Sequence, residues 1–158
     1  MNKSYLLIGG NTGDRSGFLQ KAAALIGQAG VITRASAIYE TAAWGKTDQP
    51  SFLNQAIELH TMLDAAPLME TLLHIEEQLG RRRGEKYGPR IIDIDILLFN
   101  DAVINTSLLT VPHPELANRR FALVPLNEIA GDYVHPVLQK TIGRLLQECP
   151  DPLPVNKF

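Results

Sequence analysis

Residues 87–101 read YGPRIIDIDILLFND, a run of isoleucine and leucine into which Asp93 and Asp95 are set two residues apart. Strand side chains alternate between faces, so Ile92, Ile94, Ile96 and Leu98 are expected to share a helix-covered face while Asp93 and Asp95 share the other. The spacing puts the two carboxylates roughly 6–7 Å apart, near enough to repel when both are ionised, so a compensating cation is required. Same-side acids at this separation suit Mg²⁺, which takes oxygen ligands and keeps much of its shell for water and phosphate. A D-x-D pair on its own reads equally well as two acids on a solvated sheet face.

The residues just before the strand favour the metal reading. Arg81, Arg82, Arg83, Lys86 and Arg90 lie in a loop whose Gly84, Gly88 and Pro89 allow it to bend over a ligand. A polyphosphate carried with a metal needs this combination, with metal on the acids and arginines on the outer oxygens. In isolation the run GRRRGEK is a solvated charged loop or a nucleic-acid patch, and carboxylates so close to it argue against the second.

Working outward, SYLLIGG reads as a buried opening strand ending in a glycine-rich turn, Gly9–Gly13. Phe18, Ala22, Leu25 and Ala29 follow at helical spacing, with Gly30 as a stop. VITRASAIYET is rich in β-branched residues and suits a second strand, AAWGKTDQP an irregular connection, and SFLNQAIELHT a third strand. Asp64 is placed to cap a helix with Pro67 in its first turn and Leu68, Leu72, Ile75 and Leu79 along one side, stopping at Gly80. DAVINTSLLTVPHPEL reads as a short β-excursion, FALVPLNEIA as a short strand or the start of a helix, and QKTIGRLLQECPDPLPVNKF as one short helix before a proline-rich tail with no assignable function. The order β-α-β-β-α-β predicts an α+β, ferredoxin-like fold, an antiparallel sheet covered by two helices.

The 158 residues are 45% apolar and 20% charged, enough for one core, and are expected to form a single domain over 1–158. A formal charge of −2 gives no general pull toward nucleic acid or anionic membrane. The single cysteine, Cys149, cannot form an intramolecular disulfide, and no run approaches the ~20 apolar residues of a membrane span. A cytoplasmic monomer with neither nucleic acid nor membrane as partner is expected.

Other stretches carry weaker signals. GGNTGDR lies between strand and helix, where N–H groups can receive an anion, but it lacks phosphate-loop spacing and reads as a tight turn. GKT at 45–47 has Glu40 where a phosphate loop needs glycine. His113, between Pro112 and Pro114, and Arg119 form a pair suited to phosphate as charge donors, not as nucleophile and base. Phe52 and Asn54 share a strand face, an aromatic beside an amide able to read the face and edge of a planar heterocycle. His60, His74 and His135 show no metal-ligand spacing.

YETAAWG, DQPSFLNQAIEL, HIEEQLGRRRGEKYGPRIIDIDILLFND and LTVPHPELANRRFALVPL, in this order, resemble the 6-hydroxymethyl-7,8-dihydropterin pyrophosphokinase family over essentially the whole chain. The resemblance implies transfer of pyrophosphate from ATP to the pterin hydroxymethyl group, with two Mg²⁺ ions on Asp93 and Asp95. It implies phosphate contacts from Arg81 and Arg90 on mobile loops, and from His113 and Arg119. Glu76, Arg83, Ile96 and Thr110 match residues on the nucleotide side. Phe121 matches one aromatic of the pterin sandwich, Tyr87 stands where tryptophan is frequent, Asn54 matches the pterin amide, and Thr41, Ala42, Trp44 and Phe52 match the pocket segment. Ala42 replaces a frequent proline, Leu108 an arginine of some members, and the basic loop is one residue shorter than in the best-known form. A nucleotidyl transferase or cyclase would use the same acids but release free pyrophosphate. An RNA-recognition module would need exposed aromatics where IIDIDIL has carboxylates.

Overall fold

The structure is a computed structural model and describes residues 1–43, 48–81 and 89–158. In chain order its elements are β1 (Asn2–Gly10), α1 (Arg15–Ile26), β2 (Val31–Ala35), β3 (Tyr39–Thr41), β4 (Phe52–Thr61), α2 (Ala65–Gln78), β5 (Asp93–Phe99), β6 (Ile104–Asn105), β7 (Thr110–Val111), α3 (Arg120–Ala130), α4 (Ile142–Gln147) and β8 (Val155–Lys157). β1 is central, paired antiparallel with β5 on one side and β4 on the other, and β2 and β3 lie beyond β4. This is the expected ferredoxin-like strand order, with β8 added at the edge of β3.

Tyr5, Leu6, Leu7 and Ile8 are all buried, because β1 is covered on both faces. On one face Leu6, Ile8, Leu53, Ile57, Leu59, Ile92, Ile94 and Ile96 meet Leu19, Ala22 and Ile26 of α1 and Leu68, Leu72 and Ile75 of α2. On the other, Tyr5, Leu7, Ala56, Leu97 and Leu98 meet Ala122, Leu123, Leu126 and Ile129 of α3 and Ile142 and Leu145 of α4. The expected two-helix cover is therefore incomplete. FALVPLNEIA forms the helix roofing the second face, its periodicity interrupted by Pro125, which has no N–H to continue the ladder.

Other expectations shift locally. Leu98 does not share the face of Ile94 and Ile96. β1 pairs Leu6 with Ile96 but Tyr5 with Leu98, so Leu97 is an extra residue and both leucines turn toward α3. VITRASAIYET is two strands, interrupted where the Ser36 hydroxyl accepts the Ala56 N–H at 3.0 Å in place of a main-chain carbonyl. Gly9 and Gly10 belong to β1, not to the turn after it. α1 starts at the Asp14 cap, whose carboxylate accepts Gly17 N–H, and ends at Ile26, ahead of Gly30. Asp64 stands at the α2 N-cap without a side-chain bond to the helix, its Oδ1 accepting instead from Asn2 Nδ2 at 3.4 Å, and Gly80, at φ +97°, takes the left-handed turn after that helix.

Candidate active site

Strand register assembles the site. Asp93 lies opposite Gly9, Gly9 opposite Asn54, and Asn54 opposite Tyr39, with Phe52 opposite Thr41 one row on. Directly opposed residues of an antiparallel sheet point to one face, so the acid of β5 and the amide of β4 lie on the α3 side of the sheet with one residue between them. That residue must be glycine. A Cβ on Gly9 would lie 2.1 Å from Asn54 Oδ1 and 2.9 Å from the Leu53 carbonyl oxygen. The Asn54 amide, 5% exposed as a residue, occupies the space a side chain would take.

Two arginines converge on Asp93. Arg81 donates to Asp93 Oδ1 at 2.8 Å and Arg90 to Asp93 Oδ2 at 3.1 Å. Arg81 also donates to Glu76 Oε2 at 2.8 Å, and the same oxygen accepts the Ile94 N–H at 2.6 Å. Glu76, buried on α2, thus locks the start of β5 to the root of the arginine loop. Burial first, then the neighbouring Asp93 charge, push the Glu76 pKa up to about 7 against the lowering effect of its bonds. Asp95 is half-buried beside this cluster. Burial and then the Asp93 charge raise its pKa to about 8, opposed by Arg119 and Arg90. The carboxylate pair accordingly favours an added cation. Among the described residues no three of His, Cys, Asp and Glu are so placed that they could hold a metal ion together. Two carboxylates with the remaining shell left to water and phosphate are a donor set that fits Mg²⁺.

His113 is held by its own N–H to the Leu97 carbonyl at 2.9 Å and by Nδ1 accepting the Glu115 N–H at 3.1 Å. Burial, then Arg119, push its pKa down to about 4, so the ring is neutral with its proton on Nε2. The neutral ring offers its Nε2–H as a hydrogen-bond donor near the Arg119 guanidinium. The Arg119 guanidinium lies 5.6 Å from the centre of the Phe121 ring and the Arg90 guanidinium 6.0 Å from that of Phe52, so each aromatic has a cation at its face.

Ile96 differs from a side-chain contact residue: its side chain is in the core beneath the sheet. β5 is an edge strand, and because the Ile94 N–H faces outward to Glu76, alternation turns the Ile96 peptide to the same edge. Thr110 lies in the β6–β7 hairpin, its hydroxyl donating to Asn105 Oδ1 at 3.3 Å. Thr41 is buried, and Ala42 is exposed at the start of the following loop. Trp44, Arg82, Arg83, Lys86 and Tyr87 lie outside the described residues.

Two residues escaped the sequence reading. Besides Gly9, Asn11 is buried with its side chain fully used: Oδ1 accepts the Arg90 N–H at 2.9 Å, and Nδ2 donates to Gln49 Oε1 and to the Pro50 carbonyl, both at 2.9 Å. Its own N–H donates to the Arg90 carbonyl at 3.0 Å. Asn11 thereby ties the segment before β4 to the arginine. The signal was present in GGNTGDR, but nothing local distinguishes such a knot from a turn.

Paired acids with converging arginines on a ferredoxin-like sheet define a site of the phosphoryl-transfer class. Residues 5–131 match the model of the 7,8-dihydro-6-hydroxymethylpterin-pyrophosphokinase (HPPK) family, and the chain belongs to that family. It is 47% identical over 130 residues to the 2-amino-4-hydroxy-6-hydroxymethyldihydropteridine pyrophosphokinase of Bacillus subtilis, covering 81% of this chain and 78% of the relative. To the Aquifex aeolicus protein of the same name it is 41% identical over 144 residues, 91% and 90% of the two chains. The crystal structure of Plasmodium falciparum HPPK-DHPS with pteroate shares the fold, with a TM-score of 0.73 at 20% identity over 93% of this chain. The chain spans 42% of that longer chain.

Proposed function

We propose that the chain, as one domain, transfers pyrophosphate from ATP to the hydroxymethyl group of 6-hydroxymethyl-7,8-dihydropterin, releasing AMP in folate biosynthesis. The observation that carries this reading is the row Asp93–Gly9–Asn54, in which a phosphate-and-metal end and a heterocycle-reading end adjoin on one sheet face. Asn54 reads the polar edge of the pterin, Phe121 and Tyr87 sandwich its ring, and Thr41, Ala42, Trp44 and Phe52 shape the pocket. Arg81, Arg90, Arg119 and the Nε2–H of His113 contact phosphate oxygens, while Glu76 holds Arg81 in place. Arg83, Thr110 and the backbone of Ile96 are assigned to nucleotide contacts.

Asp93 and Asp95 would hold the two Mg²⁺ ions, which when bound would supply positive charge to offset that of the phosphates. The pterin hydroxyl oxygen bonds to the β-phosphorus as the bond from that phosphorus to the oxygen retained by AMP breaks, and the hydroxyl proton is released. No covalent bond to the protein forms. Burial of the site around both substrates keeps water from taking the place of the hydroxyl.

Incubation with ATP, Mg²⁺ and the pterin, followed by separation of nucleotides, tests this. AMP should form with the pterin diphosphate in equal amounts; release of free pyrophosphate would instead indicate nucleotidyl transfer or cyclisation. Asp93→Asn and Asp95→Asn should each lower turnover by about 10²-fold or more while the melting temperature is kept. Near-normal turnover in both removes the metal-ligand assignment.

A further inference from the structure

The segment 149–158 lies beyond the matched family region, and it joins two walls of the site. Asp151 is buried, 6% exposed, and uses both carboxylate oxygens on backbone donors: Oδ2 accepts the Arg120 N–H at 3.2 Å and Oδ1 the Leu153 N–H at 3.0 Å. Arg120 opens α3, which has no side-chain cap of its own at Arg119. A carboxylate 31 residues away in sequence therefore supplies the cap that a helix start prefers. The Arg120 side chain reciprocates, Nε donating to the Asp151 carbonyl at 3.0 Å and a terminal nitrogen to the Cys149 carbonyl at 3.3 Å. On either side of this clamped residue stand Arg119 and Phe121.

Three residues on, the Pro154 carbonyl accepts the Thr41 hydroxyl at 2.9 Å. β8 then pairs with β3, Val155 opposite Thr41 and Lys157 opposite Tyr39, and the Phe158 N–H donates to the Ile38 carbonyl at 2.9 Å. One short segment thus grips the first turn of α3 at one end and β3, the strand bearing Thr41, at the other.

We infer that residues 151–157 are a brace setting the separation of the Phe121 and Thr41 walls of the pterin pocket, with Asp151 a positioning residue that touches no substrate. The inference rests on the pterin-side placement of Phe121 and Thr41. Stacking and edge recognition are sensitive to displacements of about 1 Å, so a slack brace weakens pterin binding more than the phosphate end, where Arg119 adjoins the clamp but Arg81, Arg90 and the acids are held by α2 and β1.

The test compares Asp151→Ala, Asp151→Asn and Val155→Pro in the full chain. It measures pterin Kd from pterin fluorescence, KM for each substrate, kcat and the melting temperature. Asp151→Ala should raise pterin Kd and KM about tenfold and ATP KM less than about twofold. Asp151→Asn, which keeps an acceptor for the Arg120 N–H, should recover most of that loss, and Val155→Pro, which disrupts the β3–β8 pairing, should repeat it. A folded Asp151→Ala protein with unchanged pterin Kd, or with both KM values raised equally, overturns the brace. If Asp151→Ala does not fold, the other two variants carry the same comparison. Phe121→Ala separates the premises: unchanged pterin binding there overturns the pocket reading itself.

Discussion

His113 donates its N–H to Leu97 and accepts the Glu115 N–H through Nδ1, and these contacts decide its chemistry. A buried ring near Arg119 resists a second proton, so its pKa falls to about 4 from an ordinary 6.5. Between those values the unfolded chain binds the proton and the folded chain does not. The stabilisation is therefore complete above about pH 6.5 and is lost as pH falls toward 4. Urea unfolding at pH 7 and pH 5 should show a larger loss for the wild type than for His113→Asn, whose amide oxygen can keep the Glu115 contact without titrating; equal losses would contradict a neutral ring. VPHP in the sequence singles out the residue, but its charge state depends on neighbours that only folding brings near. The same holds for Glu76. Its place on a helix is legible, whereas its grip on Arg81 and on the Ile94 N–H is not.

At the scale of elements, β1 does more than fill the centre of the sheet. Gly9 separates Asp93 from Asn54 and leaves room for the amide, and Asn11 just beyond the strand binds the Arg90 backbone on both sides. Gly9→Ala should displace the Asn54 amide and press on the Leu53 carbonyl. The expected result is a stability loss of about 1–3 kcal/mol in chemical unfolding and a raised pterin KM, with ATP KM little changed. An unaltered pterin KM would show that Asn54 does not need its present position. The strand itself was readable from its apolar run, as was β5 from its alternation. The bulge at Leu97 was not, because it arises from the pairing of β5 with β1 and has no local signature.

For the whole molecule, the two cores divide support from function. Among the described residues, the buried apolar side chains of α1 and α2 pack behind the sheet in a different cluster from Phe121, whereas α3 carries Phe121 in its first turn and Leu123 two residues on. Leu72→Ala and Leu123→Ala, both at fully buried positions, should each cost about 2–5 kcal/mol in urea unfolding. Only Leu123→Ala should also raise pterin KM, because only that cavity lies under a wall of the pocket. Matching kinetic effects would mean that the sheet transmits strain to the site from either side. By itself the sequence determined the β-α-β-β-α-β frame, the shared face of Ile92, Ile94 and Ile96 in β5 and the acid, arginine and aromatic residue types, since periodicity and composition act along the chain. The second helical layer, the register bringing Gly9 between Asp93 and Asn54, the neutral His113 and the clasp of Asp151 on α3 were decided only in the tertiary structure. Each depends on contacts between residues distant in sequence, whose energy exists only when the backbone has closed around them.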